Sequence, residues 1–224
     1  REVEAAPSRT EATAVESAVP APAPVGPRPE YETVLTRDQP DAWLQRIGAA
    51  ELTCIDTETT SLDPMAARLV GISLSVEASK ACYIPLAHRY PGVADQLPCD
   101  STLARLERWF ADPARKKLGQ NVKYDQHVLA NHGVHLAGIE HDTLLESYVL
   151  ESHMRHDMDS LAARYLGEQT ISYDDVTGTG AKRIGFEEVE VGRAAEYAAE
   201  DADITWRLHH VLNPRLAADD QLEA

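Results

Sequence analysis

Residues 52–58 read Leu52-Thr53-Cys54-Ile55-Asp56-Thr57-Glu58, a β-branched apolar run that ends in acids. Its length and composition predict a strand. Successive side chains of a strand alternate in direction, so Asp56 and Glu58 share one side of the sheet. Like charges this close raise each other's pKa unless a positive charge sits between them. A divalent metal would supply that charge, and all-oxygen ligands select Mg²⁺ or Mn²⁺ over zinc. A strand end running into solvent would carry the same two acids without any function. The pair alone leaves both readings open.

Two further segments bring acids to the same kind of place. Near the C-terminus, Tyr197, Asp201, Ile204, Leu208 and Val211 recur at helical spacing, with Leu212 widening the stripe. Asp201 is thus a carboxylate on a face that otherwise belongs to a core. Burying it unpaired is costly, so a cation, a proton or strong donors are expected beside it. Tyr197 lies one turn earlier on that face. The other segment is Gly119-Gln120-Asn121-Val122-Lys123-Tyr124-Asp125, where a strand ends and a helix begins with Asn121 as its cap. Asp125 falls in the first helical turn, where the helix dipole favours an acid with no further cause.

Around these segments the pattern predicts strands at 31–36, 52–58, 69–77, 80–86 and 117–120, with a short one near Ile139. Helices are expected at 40–47, 101–111, 122–131, 143–150, 160–166 and 189–212. Three consecutive strands followed by strand and helix alternation give an α/β fold: a mixed sheet of five to six strands flanked by helices. Residues 1–29 differ in kind. They hold six of the 13 prolines and no aromatic, Leu or Ile residue, so burial cannot offset their ordering entropy. They read as an interdomain linker stiffened toward polyproline II. The first residue is Arg1 and the last four are Gln221-Leu222-Glu223-Ala224, so a piece of a longer protein is expected.

Composition narrows the classes. No apolar run approaches the roughly 18 residues of a membrane span, and a membrane protein is not expected. Cys54, Cys82 and Cys99 form neither a disulfide framework nor a Cys-x-x-Cys pair, which favours a reducing compartment, the cytoplasm. The formal net charge is −16, which on its own argues against a nucleic-acid partner.

The motifs reverse that argument. Asp56-Thr57-Glu58-Thr59-Thr60-Ser61-Leu62-Asp63, Asn121-Val122-Lys123-Tyr124-Asp125 and Tyr197-Ala198-Ala199-Glu200-Asp201 resemble the three motifs of the DEDD superfamily of 3′–5′ exonucleases. Tyrosine four residues before the last aspartate marks the tyrosine subclass. Leu145-Glu146-Ser147-Tyr148 and Arg155-His156-Asp157-Met158-Asp159-Ser160-Leu161 extend the resemblance to the proofreading domain of bacterial DNA polymerase I, over about 31–209. The resemblance implies a ribonuclease H-like fold and divides the chain into a linker (1–29), an exonuclease domain (30–213) and the start of a connection to a polymerase domain (214–224).

It also implies roles. Asp56, Glu58 and Asp201 would hold one Mg²⁺ or Mn²⁺ ion, which carries the attacking water. Asp56 would bridge to a second ion near Asp125, and Tyr197 would orient the water. Thr59, Leu62, Gln120, Asn121, Tyr124, Arg155 and Tyr173 would line the cleft for the last nucleotides. The partner implied is a single-stranded DNA 3′ end, with a covalently linked polymerase domain and a monomeric state. An RNA-trimming enzyme of the RNase D type shares fold and acids, and a non-catalytic module of a polymerase would share the fold.

The remaining signals are weaker. His127, His132 and His135 form no coherent ligand set, and most of the nine histidines are expected at the solvated surface. Gly178-Thr179-Gly180-Ala181-Lys182-Arg183 lacks the Gly-Lys-Ser/Thr ending of a P-loop and reads as a flexible connection near DNA. Arg115-Lys116-Lys117 reads as a charged approach to a strand. Residues 1–30 carry a net charge of −2, leaving −14 on the remainder. With four of those acids assigned to metal, the charge fits a domain that binds DNA weakly through ions and a small cleft.

Overall fold

The computed structural model describes residues 29–218. The expected linker lies almost wholly outside them, as do residues 219–224. A mixed six-stranded sheet forms the centre: β1 (Glu30–Thr33), β2 (Leu52–Thr59), β3 (Leu69–Glu77), β4 (Lys80–Pro85), β5 (Lys116–Gly119) and β6 (Ile139–Asp142), in the order β1-β4-β3-β2-β5-β6. β2, β3 and β4 are antiparallel neighbours, whereas β1 on β4, β5 on β2 and β6 on β5 run parallel. The expected fold class is therefore the observed one.

Strand alternation sorts β2 between two cores. Ile55 packs into the larger cluster with Trp43 and Ile47 of α1 (Gln39–Ala49), Leu103, Leu106 and Phe110 of α2 (Cys99–Ala111) and Val128 of α3 (Val122–Asn131). Cys54 faces the other way, onto Leu118 and Ala202. That second face is covered by α7 (Val191–Ala217), which packs against β1 to β5. Ala194, Ala195, Ala198, Ala199 and Ala202 are buried there, and their small side chains let the helix approach the strands closely. Asp56 and Glu58 share the Cys54 face, so they point toward α7; Thr57 points toward α3.

Among the described residues there are three shorter helices: α4 (Thr143–Leu150), α5 (Met158–Leu161), continued by a π turn over Ala162–Leu166, and α6 (Tyr173–Thr177). The helix expected at 160–166 is thus split in type, and α6 was not expected. The connection at 178–183 contains a 3-10 turn at Gly180–Lys182. The domain end expected at 213 falls inside α7, which stays helical through Pro214 to Ala217. Among the described residues no helix is long and apolar enough to cross a membrane.

Several polar side chains are built into this framework. Lys117 is fully buried: its ammonium donates to the Trp109 and Asp112 carbonyls at 2.7 and 3.0 Å and lies over the Trp109 ring. The expected charged strand approach therefore turns inward at its last residue. His88 and His209 are buried and His141 half-buried, against the expectation of surface histidines. His88 Nδ1 faces the Val189 carbonyl at 3.0 Å, so it carries the proton, and Nε2 accepts from the Tyr83 hydroxyl at 2.8 Å.

Candidate active site

The acids of β2 and α7 meet. Carboxylate oxygens of Asp56, Glu58 and Asp201 lie within 4.8 Å of one another. Glu58 and Asp201 are buried, and loss of hydration pushes all three carboxyls upward, Asp56 to about 6 and the others well above the usual carboxylate range. The neighbouring carboxylates add to the shifts of Glu58 and Asp201.

Comparison along α7 shows what this cluster lacks. Asp203, two residues on, is equally a buried acid, but the Ser79 backbone N–H donates to Oδ1 at 2.6 Å and the Tyr31 hydroxyl to Oδ2 at 3.0 Å. Arg207 stands 3.6 Å away. Asp203 is a satisfied structural acid. Glu58 Oε1 and Asp201 Oδ1, by contrast, are buried with no hydrogen-bond partner among the described residues. Three oxygen-only donors with raised pKa values, two of them carrying an orphaned oxygen, fit a hard divalent cation.

Asp125 approaches from the α3 side. Its Oδ1 accepts from the Thr57 backbone N–H at 3.0 Å and from the Thr57 hydroxyl at 2.5 Å. It is buried and its carboxyl is raised, first by desolvation and then by the charge of Asp56. Asp125 is therefore a close neighbour of the cluster, held by the residue between Asp56 and Glu58.

The turn that delivers Asp125 departs from expectation in one respect. Asn121 occupies the N-cap position in the left-handed region (φ 61°), but its side chain caps nothing. The Asp142 carboxylate does so instead, accepting from the Asn121 and Val122 N–H groups at 2.9 Å each and also from Leu144 N–H at the start of α4. One acid at the end of β6 thus fixes the starts of two helices. On the opposite side, Gly71 pairs with Glu58 across β2 and β3. A Cβ there would sit 2.2 Å from the Tyr83 hydroxyl oxygen, so only glycine leaves room for that ring.

A cleft of about 400 Å³ opens over the acids. It is lined by Asp56, Glu58, Asp125, Tyr197 and Asp201, and also by Thr59, Leu62, Gln120, Asn121, Tyr124 and Tyr173. Tyr197 is half-buried between Tyr173 and Phe186, with ring centroids 6.3 and 5.8 Å away. Burial first, then the charges of Asp201, Glu58 and Asp56, pushes its phenol far above the usual range. Leu62 stands at the mouth, 90% exposed. The Thr59 hydroxyl meets the Tyr124 hydroxyl at 2.5 Å, and Tyr124 donates onward to the Ser61 carbonyl. The Gln120 carboxamide is engaged internally, donating to the His156 carbonyl at 2.8 Å and accepting from Thr143.

Arg155 is not brought to this cleft; it is exposed and paired with Asp157 at 2.9 Å. The cation at the lining is Arg183, paired with Asp174 and placed 5.8 Å from the Tyr173 ring. Its signal in the sequence was the basic end of the glycine-rich connection.

The order and direction of the strands, with one long helix across the sheet, define the ribonuclease H-like class. Solved structures share this fold: the POL domain of Pol1 from M. smegmatis in complex with DNA primer-template and dNTP has a TM-score of 0.63 at 21% identity, covering 86% of this chain and 28% of that one. Brucella melitensis NrnC gives 0.61 at 21% identity, with coverage of 88% and 85%. Trypanosoma brucei RNase D in complex with RNA U12 gives 0.66 at 17% identity, with coverage of 85% and 68%. Residues 31–217 match a family model described as 3′–5′ exonuclease, and the chain belongs to that family. Its curated relatives include DNA polymerase I of Pseudomonas aeruginosa, 48% identical over 198 residues, and that of Rhizobium leguminosarum, 40% identical over 206 residues. These alignments cover 87% and 84% of this chain but 22% and 20% of the relatives, so the chain spans about a fifth of their length.

Proposed function

We propose that the chain is the proofreading part of a DNA polymerase I, hydrolysing the terminal phosphodiester of single-stranded or frayed DNA 3′ ends to release nucleoside monophosphates. The observation that carries this is the pair of orphaned buried oxygens, Glu58 Oε1 and Asp201 Oδ1, on the floor of a cleft in a 3′–5′ exonuclease fold. DNA as substrate and a covalently linked polymerase domain are supported by the DNA polymerase I relatives, of which this chain covers one part. A monomer in the cytoplasm completes the reading.

Asp56, Glu58 and Asp201 would hold one divalent ion, and Asp56 and Asp125 would hold a second, Mg²⁺ or Mn²⁺ by the oxygen-only donor set. Such ions supply charge neutralisation at the phosphoryl group and an acidified water. The protein supplies the rest. Burial holds the Tyr197 phenol above its ordinary range, so it would donate a hydrogen bond that orients the nucleophile. Leu62 wedges against the terminal base and Tyr173 stacks, contacts worth roughly 1–3 kcal/mol per base and indifferent to sequence. Thr59, Asn121 and Tyr124 form the wall beside them, and Gln120 shapes it from behind through His156. Arg183, at the cleft lining, would supply a phosphate contact, a role open to it and not to Arg155, which pairs with Asp157 outside the cleft.

One observation favours RNA instead, the fold shared with RNase D. Digestion of 3′-labelled single-stranded DNA and RNA side by side, with Mg²⁺, decides between them. Release of mononucleotides from DNA supports the proposal; degradation of RNA alone overturns it.

A further inference from the structure

Two imidazoles and a buried glutamate converge at the other end of α7. His209 Nδ1 lies 2.7 Å from Glu146 Oε1, and His141 Nδ1 lies 3.4 Å from the same oxygen. The two rings are 4.1 Å apart between centroids. Glu146 and His209 are buried, and Glu146 Oε2 has no hydrogen-bond partner among the described residues. One donor atom from each of the three falls within 4.8 Å of the others. A tetrahedral ion with bonds of about 2.1 Å holds its donors roughly 3.4 Å apart, inside that limit.

We propose that His141, Glu146 and His209 form a binding site for a zinc-class divalent ion, such as Zn²⁺ or Co²⁺. Two nitrogens and a carboxylate suit such a borderline ion and disfavour Mg²⁺, the reverse of the oxygen-only cluster. The sites are separate: His209 lies eight residues beyond Asp201 on α7, about 12 Å along the axis. A hydrogen-bonded pair of His209 and Glu146 leaves Oε2 without a partner, whereas an ion engages all three residues. A cavity of about 450 Å³, lined in part by His141, Glu146 and Asn213, leaves an open side for a water as fourth ligand. The ion would clamp β6, α4 and α7 together, next to the Asp142 carboxylate that holds the starts of α3 and α4.

The test is titration of the metal-free chain with Co²⁺, read by visible absorption, in an Asp56→Ala/Asp201→Ala background that disables the carboxylate cluster. One equivalent binds, excess Mg²⁺ does not displace it, and thermal stability rises with it. His141→Ala and Glu146→Gln each weaken binding about tenfold or more. His141 is half-buried, so its variant reports even where replacing Glu146 or His209 disrupts packing; circular dichroism verifies that it folds. Absence of Co²⁺ binding in the background chain, or unchanged binding in a folded His141→Ala variant, overturns the proposal.

Discussion

Thr57 and Asp125 are joined twice, through the Thr57 backbone N–H and through its hydroxyl, both to Asp125 Oδ1. The strand residue between Asp56 and Glu58 therefore positions an acid that belongs to another element. Thr57→Val keeps the shape and the N–H but removes the hydroxyl donor. We expect a loss of about 1–2 kcal/mol in urea unfolding, as for a buried acceptor deprived of one partner. Activity falls with it, and Thr57→Ser restores both; equal stability of the Val and Ser variants would disprove the positioning role.

Asp201→Ala tests the cluster itself. Removing this ligand should lower Mg²⁺-dependent cleavage of a 3′-labelled strand by roughly 10²-fold or more. A variant that digests the strand at the wild-type rate would mean that the orphaned oxygen has no part in the chemistry.

The cluster also sets a pH dependence. Asp56, Glu58, Asp125 and Asp201 all have carboxyls raised by burial, so the folded state binds protons more tightly than the unfolded chain. Their contribution to stability is full below about pH 4 and is lost as the pH rises, through about 6 for Asp56. Without divalent ions, Asp201→Asn should therefore gain on the wild type between pH 4 and 7. Mg²⁺ should raise the wild-type melting temperature more at pH 7.5 than at pH 5, because only ionised carboxylates bind it. Equal shifts at the two pH values would rule out these acids as the ligands.

Tyr197→Phe should slow cleavage by roughly 10²-fold, uniformly from pH 6 to 10, while Mg²⁺ still stabilises the fold. A phenol held far above its ordinary range contributes no ionisation to the profile. If the wild type shows a basic limb that the variant lacks, Tyr197 is acting as a base.

Arg183→Ala should raise KM for single-stranded DNA with a smaller effect on kcat, and should reduce the salt slope of binding by about 0.7 for one lost phosphate contact. Arg155→Ala should leave that slope unchanged. The opposite pattern would assign the phosphate contact to Arg155.

What could be read from the sequence follows contact range. The two-residue period of β2 placed Asp56 and Glu58 together, and the helical period placed Tyr197 and Asp201 on one face, because both rules are local. The partners of buried polar groups are not local. Asp203 is satisfied by Tyr31 and Ser79, 172 and 124 positions away, so nothing near it distinguishes it from Asp201. Glu146 and His209 are 63 positions apart, and Lys117 is buried by carbonyls of the preceding helix end. Asn121 looked like the cap because asparagine suits that position, yet Asp142 outcompetes it with a charge and two oxygens. Arg183 was hidden in a segment whose glycines suggested only looseness, while Arg155 satisfied the motif but found a nearer acid.

Because Tyr197, Asp201 and Asp203 ride on one uninterrupted helix, their relative directions are tied to residue count. Each residue turns the helix by 100°. A single codon inserted or deleted between Tyr197 and Asp201 would swing the carboxylate away from β2 while leaving composition and hydropathy almost untouched. Length in this stretch should thus be inherited more strictly than the identity of its alanines, each of which need only stay small.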